Sequence, residues 1–238
     1  MSARVRFSPA QQAAHDFLCT LPLFEGLQAE NLKIMASGGR FHQVPRGDYV
    51  FLQTEPGDSI FLMCSGMVVI LLMNPDGREL VISELHPGDC FGEVSLLSQG
   101  VRTAGAMAHE NSELLEVPGS AFLSVLDREP LLVRRMLAVT VERLNAAHIR
   151  ESALAFLDAS GRVARMLLEM DEHDQEGLDR GYVTLSQEEL AQRTGLTRQT
   201  VARELGNWRR SGWLLTGRGR IMLLNRAQLQ EVVERSQG

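Results

Sequence analysis

The sequence of 238 residues lacks the features that mark membrane and secreted proteins. No run approaches the roughly 20 apolar residues that a membrane-spanning helix needs, because the apolar run VVILLM (68–73) stops at Asn74-Pro75. The N-terminal segment MSARVRFSPAQQ has no apolar core of the signal-peptide type. We therefore expect a cytoplasmic protein without a membrane segment.

Cysteine is scarce, and its spacing argues against several kinds of site. Cys19, Cys64 and Cys90 are widely separated and show neither CxxC pairing nor a zinc spacing. We interpret them as reduced thiols, at least two of them packed as small apolar residues. Three scattered cysteines also fall short of the four thiolates that usually hold an iron–sulfur cluster. No nucleophile–base or paired-carboxylate motif stands out, so we predict neither an enzyme nor a metal or prosthetic group.

Acidic residues outnumber basic ones, 30 to 24, and the net charge of −6 argues against a nucleic-acid-binding protein when it is taken alone. The charge is unevenly distributed, however. Residues 1–130 are net −8, residues 131–183 are net −2 and residues 184–238 are net +4. Within 193–220, seven arginines accompany a single acid, Glu204. This asymmetry indicates domains with separate roles, although a merely solvated basic face remains an alternative.

Glycine punctuates the first half of the chain at intervals of 9 to 11 residues, at Gly47, Gly57, Gly66, Gly77 and Gly88. The runs YVFLQ, SIFLMC, MVVILLM and ELVISEL lie between these glycines and have strand character. Strands at this spacing predict an antiparallel barrel or sandwich, over about 21–125. The apolar spacing at 22–36 predicts a helical segment before the strands.

The apolar period changes near residue 128. A stripe with i+4, i+4, i+3 and i+4 steps is formed by Val133, Leu137, Val141, Leu144 and His148. The segment from Pro130 to about Phe156 has no internal glycine or proline, which predicts a helix of roughly seven turns. A symmetric pair of such helices would bury the stripe, so we predict a homodimer. Packing of the stripe on the chain's own barrel is the alternative.

The segment 184–225 has the pattern of two short helices joined through glycine. Ser186 and Glu189 form a capping box for the first helix, which should end at Gly195. Thr197 should cap a second helix, and Leu190, Val201 and Leu205 should lock the two together. These features predict a helix-turn-helix. The following GWLLTGRGRIMLLN predicts a two-stranded wing, whereas a helix, GRVARMLLEM (161–170), and a polar connector, EHDQEGLDRG, precede the pair.

The outer face of the second helix carries Arg198, Gln199 and Arg203. Arginine can bridge O6 and N7 of guanine, and glutamine can bridge adenine. These side chains are therefore suited to base edges in a major groove of DNA.

Residues 91–104, FGEVSLLSQGVRTA, have the chemistry of an anion site. A turn at Phe91-Gly92 and a short helix after it would present backbone N–H groups to an anion. Arg102 can pair with a phosphate, and Glu93, when ionised, accepts hydrogen bonds and so suits a ribose hydroxyl. Thr103 adds a hydroxyl nearby.

This segment resembles the phosphate-binding cassette of cyclic-nucleotide-binding domains, FGE-x-x-LL-x-x-x-x-R-[ST]-A. From about Leu21 to Asn225 the chain resembles the cyclic AMP receptor protein/FNR (CRP/FNR) family of bacterial transcription regulators, including its hinge stretch at LAFLDASGRVARMLL (154–168). The resemblance implies an α+β fold with three parts: an N-terminal β-roll/jelly-roll cyclic-nucleotide-binding domain with a helical N-terminus (1–127), a long dimerisation helix and hinge (128–158), and a C-terminal winged helix-turn-helix domain (159–238).

The resemblance also implies the site residues. Those expected at the cyclic nucleotide are Gly92, Glu93, Arg102 and Thr103, with Ile82, Ser83 and Leu85 along the pocket wall and Ala147 and His148 at the positions that read the base. Those expected at DNA are Arg198, Gln199 and Arg203 at base edges, and Thr197, Thr200 and Gln187 at phosphates. The implied function is a homodimeric regulator that binds a pseudo-palindromic operator and RNA polymerase under the control of cyclic AMP or cyclic GMP.

Four departures from the family pattern, at five positions, bear on the function. Ala147 and His148 replace a Thr-Ser pair that contacts adenine, so base recognition should differ. The threonine at position 103, beside Arg102, is similar to the residue found in cassettes that also accept cyclic GMP. Gln199 replaces a glutamate, and Glu188 replaces a phosphate-contacting glutamine and has no donor to offer. A regulator that works without a cyclic mononucleotide, or that senses a cyclic dinucleotide or thiol redox state, remains the alternative.

Overall fold

A computed structural model of the chain describes residues 7–98, 100–174, 182–217 and 219–236. The chain divides into two compact units. The first unit contains the residues up to Asn74 together with Val81–Arg143, and the second contains Pro75–Leu80 and the residues from Leu144 onward. In the ranges described, no helix is both long enough and apolar enough to cross a membrane.

The first unit begins with helices. Helix α1 (Pro9–Thr20) is capped by Ser8, whose side chain forms a capping box with Gln11. A 3₁₀ turn (Pro22–Phe24) and helix α2 (Ala29–Gly38) follow. The helical segment predicted over 22–36 is present as these two elements, which are separated where the chain turns at Gly26 with φ of +73°. Helix α1 agrees with the helical N-terminus expected for residues 1–127.

Eight strands of the described residues form two four-stranded sheets, which belong to the first unit apart from Glu79 and Leu80. The first sheet has the order β1-β8-β3-β6, and the second has the order β2-β7-β4-β5. The pairs with described register are antiparallel. The strands are β1 (Arg40–Val44), β2 (Tyr49–Phe51), β3 (Ser59–Ser65), β4 (Val68–Met73), β5 (Glu79–Leu85), β6 (Cys90–Phe91), β7 (Gly105–Ala108) and β8 (Ser112–Pro118). This is the predicted antiparallel β architecture, with its four predicted strand runs in place.

The two largest apolar clusters of this unit join its strands and helices. Phe61, Leu85, Phe91 and Leu114 are buried in a cluster that joins strands of both sheets. A second cluster covers the first sheet with helices and includes Phe24, Phe122 and Leu132, which are at most 1% exposed. The short helices α3 (Glu93–Leu97) and α4 (Gly119–Leu126) also belong to this unit, which extends to Arg143.

Helix α5 (Pro130–Phe156) has the predicted bounds, which were inferred from a segment without internal glycine or proline. Its residues Leu132 and Met136 are buried, whereas every member of the predicted stripe is exposed. The exposed fractions are 46% for Val133, 62% for Leu137, 47% for Val141 and 52% for Leu144. The alternative, in which the stripe packs on the chain's own barrel, is therefore wrong.

The second unit is a helical domain with a β-ribbon. Its elements are α6 (Ala159–Asp174), α7 (Gln187–Thr194), α8 (Arg198–Arg210), β9 (Leu214–Gly217), β10 (Arg220–Leu223) and α9 (Arg226–Ser236). One apolar cluster joins them, with Val163, Leu190, Val201 and Leu229 completely buried. The first three residues of the predicted polar connector (172–181) belong to α6, which extends to Asp174. The rest of the connector lies outside the described residues.

Candidate binding sites for an anion and for DNA

The cassette predicted at 91–104 folds as a turn followed by helix α3. Gly92 caps α3 in a left-handed conformation with φ of +85°, which favours glycine. A Cβ atom at Gly92 would also lie 2.7 Å from Nη1 of Arg102, closer than real Cβ contacts. Glycine is therefore required here twice, once for the backbone and once for room beside Arg102.

Arg102 is buried, with 4% of its surface exposed, and its hydrogen bonds go to uncharged acceptors. Nη1 donates to Gly92 O at 2.8 Å and to Ser95 Oγ at 2.9 Å. Nη2 donates to Ser59 O at 2.9 Å and to Ser59 Oγ at 3.3 Å. Nε has no hydrogen-bond partner among the described residues. Burial lowers the pKa of the guanidinium, whereas the nearby carboxylates of Asp58, Glu116, Glu55 and Glu93 act in the opposite direction.

Residues outside the cassette hold Arg102 in place. The Phe51 ring lies 4.3 Å from the guanidinium carbon, a cation–π contact, and belongs to an aromatic cluster with Phe61 and Phe91. The Arg102 backbone bonds to the loop after β2: Thr54 N donates to Arg102 O and Arg102 N donates to Glu55 O, both at 2.8 Å. The ring and the loop together hold the guanidinium in one position.

Glu93 is buried and pairs with an arginine from outside the cassette, which was not among the predicted site residues. Arg143 of α5 donates from Nη1 to Glu93 Oε1 at 2.6 Å and from Nη2 to the carbonyl oxygen of Cys90. Glu93 Oε2 is buried without a partner in the part of the chain that the structure describes. Fifty residues separate Arg143 from Glu93, so no local spacing signals this pair.

The other residues predicted at the cyclic nucleotide have different environments. Thr103 is exposed, Ile82 and Ser83 are half-buried, and Leu85 belongs to the apolar core of the β domain. Ala147 and His148 lie on α5, where Ala147 is half-buried and His148 is exposed. The structure thus gathers Gly92, Glu93 and Arg102 around α3, and it adds Ser95, Ser59 and Phe51, which were not predicted.

The second unit has the predicted helix-turn-helix. Ser186 Oγ accepts from Glu189 N, and Glu189 returns the capping-box bond to Ser186 N. Helix α7 ends at Gly195 with φ of +66°. Helix α8 is capped by Thr197, whose Oγ1 accepts from Thr200 N at 3.2 Å. The capping pattern in the sequence therefore identified both helix starts.

The buried and exposed faces of α8 are separated as predicted. Val201, Leu205 and Trp208 are at most 4% exposed and pack in the core of this unit. Arg198, Gln199 and Arg203 are exposed. Arg203 Nε donates to Glu204 Oε1 at 3.0 Å, and the Arg203 side chain is 66% exposed. An exposed basic face opposite a buried apolar one is the arrangement that a groove-binding helix needs.

The residues predicted at phosphates lie near this face. Thr197 is exposed, whereas Thr200 and Gln187 are half-buried. Gln187 and Arg198 line a cavity of about 300 Å³ formed with the ribbon residues Thr216, Gly217 and Gly219. Arg193, one of the seven arginines counted between 193 and 220, is 9% exposed and adds little to the basic surface.

The three cysteines are free thiols, as expected from their spacing. Cys90 is buried, Cys64 is half-buried and Cys19 is exposed. Burial raises the pKa of Cys64 to about 12 and raises that of Cys90 further, so both stay protonated at neutral pH. No group of three or more potential metal ligands occurs within residues 7–98, 100–174, 182–217 and 219–236.

Comparison with known proteins assigns both units. Residues 41–129 match the family model of the cyclic nucleotide-binding domain, and residues 161–232 match that of the Crp-like helix-turn-helix domain. The chain is 33% identical to the cyclic AMP receptor protein of Thermus thermophilus, over 89% of this chain and 96% of that protein. It is 31% identical to a CRP-like cAMP-activated global transcriptional regulator of Mycobacterium tuberculosis, over 84% and 90% of the two chains.

A solved structure agrees with these assignments. The structure of a transcriptional regulator of the CRP/FNR family from Thermus thermophilus superposes with a TM-score of 0.68 at 27% identity, covering 84% of this chain and all of that one.

Proposed function

Because the chain belongs to the cyclic AMP receptor protein/FNR family of transcription regulators, we propose that it is a cytoplasmic homodimer that binds a pseudo-palindromic operator when a cyclic nucleotide occupies the site at Arg102. Its domains for cyclic nucleotide and for DNA are those of a regulator, and the members of the family are not enzymes.

The single observation that carries the effector proposal is the environment of Arg102. Its guanidinium is buried, yet it forms no ion pair with a carboxylate in the described residues, and its acceptors are carbonyl and hydroxyl oxygens. Burial of a cation that no carboxylate contacts is costly, and an anion bound directly to it would offset that cost. A cyclic phosphate carries one negative charge and can accept charge-assisted hydrogen bonds from Arg102.

The nucleoside part of the ligand would meet Glu93. Its Oε2 is buried without a partner within the described ranges, and a carboxylate oxygen accepts a hydrogen bond from a ribose hydroxyl. Arg143 holds the other oxygen, so Glu93 is already oriented. We propose Thr103, Ile82, Ser83 and Leu85 as further pocket residues and Ala147 and His148 as the residues near the base.

Cyclic AMP and cyclic GMP are both candidate effectors. The relatives in Thermus thermophilus and Mycobacterium tuberculosis are named for cyclic AMP, which favours that nucleotide here. Ala147 and His148 lack the Thr-Ser hydroxyls of the family pattern, and Thr103 supplies a hydroxyl beside Arg102. Cyclic GMP is therefore a second candidate effector.

The exposed stripe on α5 supports the homodimer. Val133, Leu137, Val141 and Leu144 are each at least 46% exposed along one helix of 27 residues. Pairing with the same helix of a second copy would remove this apolar surface from water. The helix-turn-helix would then be present twice, with Arg198, Gln199 and Arg203 at base edges, and Thr197, Thr200 and Gln187 at phosphates. RNA polymerase is the further partner that we propose for a regulator of this family.

Titration calorimetry with cyclic AMP and with cyclic GMP tests the effector. We expect one of them to bind the wild-type protein, and we expect Arg102→Gln to weaken that binding at least about 100-fold, because the phosphate loses its cation. Arg128→Gln is the matched control, since Arg128 is an exposed arginine of the same unit. Failure of both nucleotides to bind the wild type would contradict the proposal.

Operator binding tests the coupling. We expect the nucleotide to raise the affinity for the operator about 5- to 150-fold, the usual range for coupled sites. Equal affinity with and without nucleotide would favour the alternative, a regulator that works without a cyclic mononucleotide or senses a cyclic dinucleotide or thiol oxidation. Replacing all three cysteines with serine leaves DNA binding unchanged if the thiol alternative is wrong.

A further inference from the structure

The hydrogen-bond donors of Arg102 are almost completely used inside the protein. A guanidinium has five N–H groups, two on each terminal nitrogen and one on Nε. The four terminal ones match four acceptors: Gly92 O and Ser95 Oγ for Nη1, and Ser59 O and Ser59 Oγ for Nη2. A phosphate that binds Arg102 must therefore replace an acceptor that is already present, unless it uses Nε alone.

A phosphate can reach neither Nε of Arg102 nor the face of the guanidinium that Phe51 covers. Nε is buried beside Gly57, where a Cβ atom would lie 3.0 Å from it. The Phe51 ring covers one face of the guanidinium at 4.3 Å. The phosphate must therefore approach an edge that carries terminal nitrogens, and the cassette turn lies at Nη1.

Of the two acceptors on Nη1, Ser95 Oγ is the one that can move. Gly92 O belongs to the backbone of the turn that starts α3, whereas Ser95 Oγ can rotate about χ1 into another staggered position. Glycine at position 57 leaves room for this hydroxyl, because a Cβ atom at Gly57 would lie only 2.1 Å from Ser95 Oγ. It also donates to Gly92 O at 3.0 Å, which directs its lone pairs toward Arg102.

On the basis of the proposed function, we propose that the Ser95 hydroxyl is an internal competitor for the ligand phosphate: it satisfies Nη1 of Arg102 in the empty site and yields that donor when the phosphate binds. Ser59 keeps Nη2 in both states and so holds the guanidinium in position. Ser95 thereby lowers the affinity of the site and protects the empty form from an unsatisfied buried cation.

The exchange has a predictable sign. The phosphate oxygen is charged and forms a stronger hydrogen bond with Arg102 than the neutral hydroxyl does, so the exchange favours binding. Part of that gain is lost in breaking the bond to Ser95. In a Ser95→Ala variant the empty site has one donor less satisfied and the occupied site is unchanged, so the ligand should bind more tightly.

The experiment is calorimetry with cyclic AMP and cyclic GMP, each titrated into the wild type and four variants. We expect Ser95→Ala to bind the effective nucleotide about tenfold more tightly. Ser95→Cys should bind about threefold more tightly, because a thiol is a weaker acceptor of similar volume. Ser59→Ala should not gain affinity. Ser98→Ala is the matched control, since Ser98 Oγ donates to the Val94 carbonyl of the same short helix but makes no bond to Arg102.

Thermal unfolding supplies a second measurement. The empty Ser95→Ala protein should melt at a lower temperature than the wild type, and saturating nucleotide should remove most of that difference. Unchanged or weaker binding by Ser95→Ala, with normal binding by the wild type, would overturn this inference and leave the proposed function intact. If neither the wild type nor Ser95→Ala binds either nucleotide, both proposals are wrong.

Discussion

Arg102 in the β unit and Arg203 in the helix-turn-helix are the same kind of side chain in opposite environments. Arg102 is 4% exposed and its terminal N–H groups are engaged by four acceptors, whereas the Arg203 side chain is 66% exposed and bonds to its neighbour Glu204. A buried, fixed cation suits one small anion of defined shape. An exposed arginine side chain can adopt several rotamers, and its charge attracts phosphates over a distance, which suits binding to a long charged polymer such as DNA. Burial therefore separates the two functions more clearly than charge does.

Salt should reveal the largest difference between the two regions. Raising the salt concentration from about 50 to 200 mM should weaken operator binding about 100- to 1,000-fold, because the exposed arginines of the proposed homodimer would release counterions from DNA. The affinity for the cyclic nucleotide should change less than about threefold, since a buried pair is screened little. Fluorescence anisotropy and calorimetry in the same buffers measure the two. A parallel decline in both affinities would contradict the comparison.

Truncating a core side chain in one unit should lower the stability of that unit and leave binding by the other unit nearly unchanged. Leu205→Ala removes a side chain that is 1% exposed in the core of the second unit and should destabilise that unit by about 2–5 kcal/mol. Binding to the operator should decline, while the affinity for the nucleotide remains within about twofold. Differential scanning calorimetry measures the unfolding, and Leu62→Ala in the first unit is the matched variant with the opposite expected pattern.

Arg143→Gln should have an intermediate effect, confined to the first unit. It removes the partner of Glu93 Oε1, and a buried carboxylate without its cation should cost about 1–3 kcal/mol of stability. We expect about a tenfold loss of nucleotide affinity as well, because Glu93 is no longer oriented. Chemical denaturation and calorimetry measure these changes. Arg134→Gln, at an exposed position of the same helix, should leave both quantities unchanged.

Asp158 should contribute least, and its contribution should depend on pH. Its Oδ1 accepts from Gly161 N at 2.7 Å and from Ser236 Oγ at 2.9 Å, and these bonds lower the pKa of the carboxyl below its ordinary value of 3.8. The stabilisation is therefore complete above about pH 4 and is lost as the pH falls through the lowered value. Asp158→Ala should cost about 0.5–1 kcal/mol at pH 7 and less at pH 3. Urea denaturation at both pH values is the measurement; an equal cost at both would contradict it.

Local patterns predicted most of the elements. The bounds Pro130–Phe156 follow from the absence of glycine and proline, and Ser186, Glu189 and Thr197 mark the starts of α7 and α8 by their capping chemistry. The run 22–36 was predicted to be helical, without deciding between one helix and two, and the structure divides it at Gly26, where the backbone turns. A glycine in a helical pattern leaves that choice open until tertiary packing decides it.

The candidate sites divide in the same way. Glu93 and Arg102 lie in one motif of fourteen residues, so the sequence identifies them together. Arg143, Ser59 and Phe51 contact the same site from distant positions, and only the strand pairing and the packing of α5 bring them there. Charge counting also overestimated the basic surface, because Arg193 is buried. Burial of a charged side chain depends on tertiary contacts that no local pattern records.

The continuity of α5 has a consequence for how this protein can change in evolution. Arg143 and the stripe residues Val141 and Leu144 share one uninterrupted helix, so the angle between them about the helix axis is fixed. An insertion of one residue after Arg143 would rotate everything beyond it by about 100°, and would carry Leu144 and His148 to another side of the helix. An insertion of seven residues would restore the angle to within about 20°. Natural length variants of this segment should therefore differ in steps close to a heptad.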